Sequence, residues 1–184
     1  MLTIHSELER IGKFLDERLH EDKFYMAGEP EEGEDEGGGL PLVIPKVFIG
    51  SLPHANFALY SDSAAGFHRA PYLLVGYEEA SYDVDGEGAS ILIQACAYTQ
   101  DYYGREDGGE GFPDNMGILD VTDLLQAAMR WIDEEAPFPA EMPYKMGTYA
   151  DKAYTYPYAF GYLSFRIETA EGAGHQPRFY ENAD

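Results

Sequence analysis

The chain has 184 residues, with 12 basic and 34 acidic side chains and a formal net charge of −22. Hydrophobic residues make up 45% of it and charged residues 25%, a globular balance that excludes wholesale disorder. So acidic a surface repels phosphate, which argues against specific nucleic-acid binding and against docking on anionic membranes.

The single cysteine, Cys96, excludes an intrachain disulfide and a cysteine-based zinc cluster. No apolar run is long enough to span a bilayer, because the best of them, Ile91 to Tyr98, is interrupted by Gln94. Glu7, Glu9 and Arg10 stand where the apolar core of a signal peptide would begin. A soluble protein working in a reducing cytoplasm is therefore expected, organised as a single domain over 1–184.

Residues 3–20 are predicted to form a helix. Ile4, Leu8, Ile11 and Leu15 share one stripe, widened by Phe14 and Leu19. Over 27–39 come six carboxylates (Glu29, Glu31, Glu32, Glu34, Asp35, Glu36) and then Gly37, Gly38 and Gly39. Self-repulsion and glycine entropy predict a flexible, solvated loop or linker there.

An α+β core is expected over 42–170. It opens with a short edge strand around Val43–Ile49, bounded by Pro41, Pro45 and Gly50. Residues 51–70 have no clear period and are expected to be mostly loop. Pro71–Tyr77 is predicted as a strand, Tyr82–Gly88 as a turn carrying the hairpin signal Asp85-Gly86, and Ala89–Gln100 as the return strand. Within that strand Ile91, Ile93, Ala95 and Ala97 form the expected buried face.

A polar loop over 101–114 precedes the strongest helix signal, in which Ile118, Val121, Leu125, Ala128 and Ile132 recur at helical spacing. Asp114 is the expected N-cap, and Pro137 and Pro139 end the helix. Strands are predicted at Tyr144–Tyr149 and Phe160–Glu168, the latter burying Leu163, Phe165 and Ile167. Residues 171–184 read as a loose tail. No βαβ unit recurs, so the fold expected is an antiparallel sheet of four to five strands with two main helices packed on one face.

Chemistry-bearing patterns are sparse. His5, His20, His54, His68 and His175 are scattered, with no pair at metal-ligand spacing. Asp83, Asp85 and Glu87 imitate the start of a calcium loop, but position twelve is Gln94 and not glutamate. Cys96 reads as a small buried hydrophobe. No catalytic, cofactor-binding or metal-binding residue is nominated, and no enzymatic activity is expected. The 15 tyrosines, clustered at Tyr102–Tyr103 and through Tyr144, Tyr149, Tyr154, Tyr156, Tyr158 and Tyr162, suit either sheet packing or a protein-contact surface.

Several segments together resemble phage and prophage tail proteins of the tail-completion or tail-terminator type. They are the run from Ala70 through Pro71, Tyr72, Leu73, Leu74, Val75, Gly76, Tyr77 and Glu78, a strand ending Ala97-Tyr98-Thr99, and Leu119-Asp120-Val121. The run from Tyr156-Pro157-Tyr158 to Ile167-Glu168 belongs to the same pattern. The likeness covers roughly 1–20 and 70–170; the acidic insertion at 27–39 and the glycine-rich 104–111 depart from it.

The resemblance implies a non-enzymatic structural protein of the virion tail, made in the bacterial host cytoplasm. It would join copies of itself in a ring, commonly of six, at the head-proximal end of the tail tube and touch tube and head-completion proteins. Six copies at −22 each amount to 132 negative charges, so assembly is expected to be costly at low ionic strength. An acidic protein-binding module, such as an inhibitor imitating DNA, is the alternative.

Overall fold

A computed structural model describes residues 4–29, 40–51, 70–83, 86–98, 116–149 and 158–168. The expected polar loop at 101–114, the cap at Asp114 and the tail at 171–184 lie outside these residues.

Helix α1 runs Ile4–Glu21 and buries Leu8, Ile11, Phe14, Leu15 and Leu19, the predicted stripe. It stops in a Schellman arrangement, Phe24 N–H bonding to Leu19 O at 3.0 Å and Lys23 N–H to His20 O at 3.3 Å. Lys23 holds the left-handed position, φ 52°, where glycine is usual. The turn aims Phe24 into the core, where its ring meets Trp131 edge-on at 6.1 Å.

Strand β1 (Met26–Ala27) pairs antiparallel with β2 (Leu42–Val43). Gly28 N–H extends this ladder to Pro41 O at 2.7 Å, and Glu29 N–H bonds to Ala70 O at 3.1 Å. The segment predicted as a loop or linker over 27–39 therefore needs correcting at its start. Ala27 is in a strand and Glu29 is anchored, so the acidic run connects two arms of a hairpin. Charge and glycine content mark a solvated run, but they carry no information about whether its ends meet.

The main sheet has the order β3-β4-β5-β7-β6, formed by β3 (Lys46–Ile49), β4 (Tyr72–Asp83), β5 (Gly86–Tyr98), β6 (Ala140–Thr148) and β7 (Tyr158–Glu168). It is α+β with five strands and mostly antiparallel pairing. One ladder departs from the expectation: β3 runs parallel to β4, with Lys46 opposite Tyr72 and Ile49 opposite Val75. Parallel neighbours need a crossover of a dozen or more residues, and the stretch between Ile49 and Tyr72 supplies that length. The predicted strand around Val43–Ile49 is in fact two, split at Pro45, of which only β3 edges the main sheet.

The β4–β5 hairpin is longer than predicted. Its ladder closes at Asp83 opposite Gly86, so Tyr82, Asp83 and Gly86 to Gly88, expected in the turn, belong to the strands. Strand β6 begins at Ala140, ahead of the predicted Tyr144. Its ladder slips between Glu141 and Lys145, around Pro143, which lacks the N–H that a regular ladder uses and is tolerated on an edge.

Helix α2 runs Met116–Glu135 and buries Val121, Leu124, Leu125, Ala128, Trp131 and Ile132. It lies over β5, β6 and β7, while α1 lies over β3 and β4. Both helices thus cover one face, meeting the predicted inward rows Ile91, Ile93, Ala95 and Ala97 and Leu163, Phe165 and Ile167 in one core.

Two glycines permit the close approach. A Cβ at Gly12 would sit 2.8 Å from Ile49 of β3, and one at Gly161 would sit 2.5 Å from Val121 of α2. Where the helices end, Trp131 Nε1–H donates to Asp22 Oδ2 at 2.8 Å, and Arg18 reaches Glu21 at 2.8 Å and Glu135 at 3.2 Å.

On α2, partial burial and then the neighbouring Asp123 hold the Asp120 carboxyl above its ordinary value. An acid so shifted binds its proton more tightly folded than unfolded. Its ionisation therefore opposes folding as pH rises through the unfolded value near 4, and fully so above the folded value. Asp120→Asn is expected to raise the urea midpoint at pH 7 slightly, solvent screening keeping the gain small. The gain should fade below about pH 4. A gain that persists unchanged at pH 3 would count against this origin.

Candidate functional site

Neither helix touches the second face of the sheet. Strand register assembles that face row by row. Tyr72, Leu74 and Gly76 of β4 lie opposite Cys96, Gln94 and Leu92 of β5. These lie in turn opposite Phe160, Tyr162 and Ser164 of β7, with Ser90 opposite Arg166 and Tyr98 opposite Tyr158. Gly147 and Lys145 of β6 complete the rows of Tyr162 and Ser164. One end of the face is thus aromatic and the other polar.

At the aromatic end Ala70, Tyr72 and Cys96 are buried beneath Phe48, Leu74, Tyr98, Tyr158 and Phe160. Phe48 meets Tyr72 edge-on at 5.8 Å, and Tyr98 meets Tyr158 at 5.8 Å. Tyr158 Oη–H donates to Glu29 Oε1 at 2.9 Å, which ties the start of the acidic run to the sheet. Burial, then this bond and the Glu29 charge, push the Tyr158 hydroxyl up to about 12. Burial, then the neighbouring Cys96, raises Tyr72 as well.

Cys96 is 1% exposed, and burial pushes its thiol up to about 12, a hydrogen bond with Tyr72 only partly opposing this. The expectation that Cys96 is buried mid-strand agrees with this geometry. The thiolate is the reactive species. At pH 8 the folded protein should therefore react with a disulfide reagent at least about a thousandfold more slowly than in denaturant. Comparable rates would show that the aromatic cover opens readily.

At the polar end a groove of about 470 Å³ is lined by Glu78, Ser90, Leu92, Pro143, Lys145, Tyr149, Tyr162, Ser164, Phe165 and Arg166. Glu78 enters because β4 bulges between Tyr77 and Glu79. A smaller hollow of about 170 Å³ shares Leu92 and continues past Gly76 and Leu74 to Gly50, so the depression crosses the strands. Its floor is low where Gly76 stands, since a Cβ there would meet nothing nearer than Leu92 O at 3.9 Å. Tyr162 instead folds over Gly147, its ring 2.9 Å from where a Cβ would be, and packs against Tyr149 at 5.6 Å. Arg166 reaches Glu141 at 3.9 Å.

The other candidates are dispersed. His5 faces Glu9 at 3.2 Å and His20 faces Asp16, both exposed on α1; His54, His68 and His175 lie outside the described residues. Asp83 lies opposite Gly86 and Glu87 opposite Tyr82 in the β4–β5 ladder, and Asp85 lies outside the described residues. Among the described residues no group of three or more His, Cys, Asp or Glu is placed to hold a metal ion, and no helix is long and apolar enough to cross a membrane.

Of the tyrosines singled out, Tyr144, Tyr149, Tyr158 and Tyr162 are described. Tyr144 packs on Phe165 at 6.0 Å, and the other three belong to the face opposite the two helices. Lys145, Arg166 and Glu78 were not anticipated. Their signal, alternation about Leu163, Phe165 and Ile167, placed Arg166 outward but gave no groove, because the groove depends on the bulge and the β6–β7 register. Comparisons with models of protein families and with curated proteins find no match to this chain.

Proposed function

We propose that this protein is a non-enzymatic assembly component, a tail-completion or tail-terminator-like subunit. It would ring the head-proximal end of a phage tail tube and contact tube and head-completion proteins. The observation that carries the assembly role is the sheet face that neither described helix covers, where, among the described residues, Tyr98, Tyr149, Tyr158, Phe160 and Tyr162 are only partly covered. Tyrosine offers large contact area while its hydroxyl stays compatible with water before assembly.

The tail role rests on the resemblance, whose segments fall on α1, β4, β5, α2 and β7. The charge suits a conduit through which DNA must slide, since an acidic wall repels phosphates. Like-charge repulsion should keep the chain monomeric in dilute buffer and allow association as salt screens it, the Debye length falling from about 30 Å at 0.01 M to about 8 Å at 0.15 M. Sedimentation across that range, with negative-stain imaging, tests it. Rings appearing only at the higher salt are the expected result; a monomer at every salt overturns it.

A further inference from the structure

We infer that the groove at the β6 end of the open sheet face receives a second copy of this chain, through the acidic tip where α1 and α2 end. This rests on the assembly role proposed above and specifies its contact. The groove is less acidic than the molecule as a whole. The chain carries 34 acids to 12 bases, whereas at the groove Lys145 and Arg166 stand against Glu78 and Glu141, which reaches Arg166, so that here the acids do not outnumber the cations.

Both cations are exposed, on an edge strand and its neighbour. For a copy at −22, approach here is opposed less than the overall charge would suggest, and charge complementarity favours an acidic occupant. The same chain supplies the complement. Glu21, Asp22, Asp133, Glu134 and Glu135 are exposed around the joined helix ends; Arg18, within reach of three of them, offsets one of these charges, and the negative ends of two helix dipoles add to the rest.

Groove and tip lie on opposite faces of the sheet, so one copy cannot offer both to the same partner in the same contact. A groove facing its own twofold mate would oppose Lys145 and Arg166 to themselves. The contact is therefore head-to-tail, which builds rings or filaments and not a twofold dimer.

The test uses the full chain at the salt where the native protein associates. Lys145→Glu and Lys13→Glu each change the net charge from −22 to −24, but Lys13 lies on α1 in an exposed pair with Glu17. We expect Lys145→Glu to weaken association at least tenfold and Lys13→Glu less than twofold. Lys145→Glu/Arg166→Glu keeps the tip, and Glu21→Lys/Glu134→Lys keeps the groove. Each alone should stay monomeric, and their mixture should give a one-to-one dimer that does not grow. Native tryptophan fluorescence checks that both fold.

If Lys145→Glu assembles like Lys13→Glu into rings, the groove contact is wrong and the ring stands. If the native chain never associates, both fall. A mixture that stays monomeric while the native chain assembles overturns the groove–tip pairing alone.

Discussion

Gly161→Val is expected to be among the most damaging single substitutions in the molecule, lowering stability by about 3 kcal/mol or more. Two effects compete. A β-branched residue in a strand interior ordinarily gains up to about 1 kcal/mol over glycine. Here the first added carbon would lie 2.5 Å from Val121 Cγ1, 2.9 Å from Leu125 Cδ1 and 2.9 Å from Gly147 O. Two of these belong to the helix and one to backbone, so relief requires lifting α2 from β7.

Overpacking therefore wins at Gly161. It should lose at Gly76, a strand-interior glycine on the open face with only Leu92 O within 4 Å. Urea titrations of Gly161→Val and Gly76→Val should move the midpoint in opposite directions or give unfolding free energies that differ by at least about 3 kcal/mol. A double-mutant cycle of Gly161→Ala with Val121→Ala should recover part of the loss. Equal midpoints for the two valine variants would show that α2 is not held where described.

Trp131→Ala is the second large expectation, at about 3–5 kcal/mol. The side chain is 2% exposed, stands edge-on to Phe24 and donates to Asp22. It thus joins α2 to the turn that ends α1. Trp131→Phe keeps most of the buried area and removes the donor. Asp22 retains Arg18 at 3.5 Å and is partly exposed, so that change should cost only about 1–2 kcal/mol. Since Trp131 is the only tryptophan, the native chain reports its own unfolding by a red shift in emission. The alanine variant must be followed by circular dichroism. A loss below about 1 kcal/mol for Trp131→Ala would mean that the helix ends are not packed together.

Much of the scaffold is legible in the amino-acid sequence. The stripes Leu8–Ile11–Leu15 and Val121–Leu125–Ala128 specify helices because burial at 3.6-residue spacing admits no other regular element. The alternations Ile91–Ile93–Ala95 and Leu163–Phe165–Ile167 specify strands and name their inner faces. Direction and partnership were not legible. Nothing in Val47-Phe48-Ile49 says that it lies parallel to Leu73–Val75, since periodicity is the same either way and only the length of the intervening chain bears on the choice.

The groove was hidden for a related reason. Lys145, Arg166 and Glu78 come from three strands, and they meet only because the β6–β7 ladder slips at Pro143 and β4 bulges at Glu78. Such irregularities are products of packing, and they leave no period to read.

The pairing of Met26 with Val43, extended by the Gly28–Pro41 bond, makes the acidic run an interchangeable cassette. Its two ends are fastened beside each other at the flank of the sheet, so its length is decoupled from the geometry of the core. Doubling the number of residues between those ends should cost only about 0.6 kcal/mol in closure entropy. An epitope, a fluorophore tag or a tether inserted between those ends is therefore expected to leave the β1–β2 pairing and the main sheet unchanged.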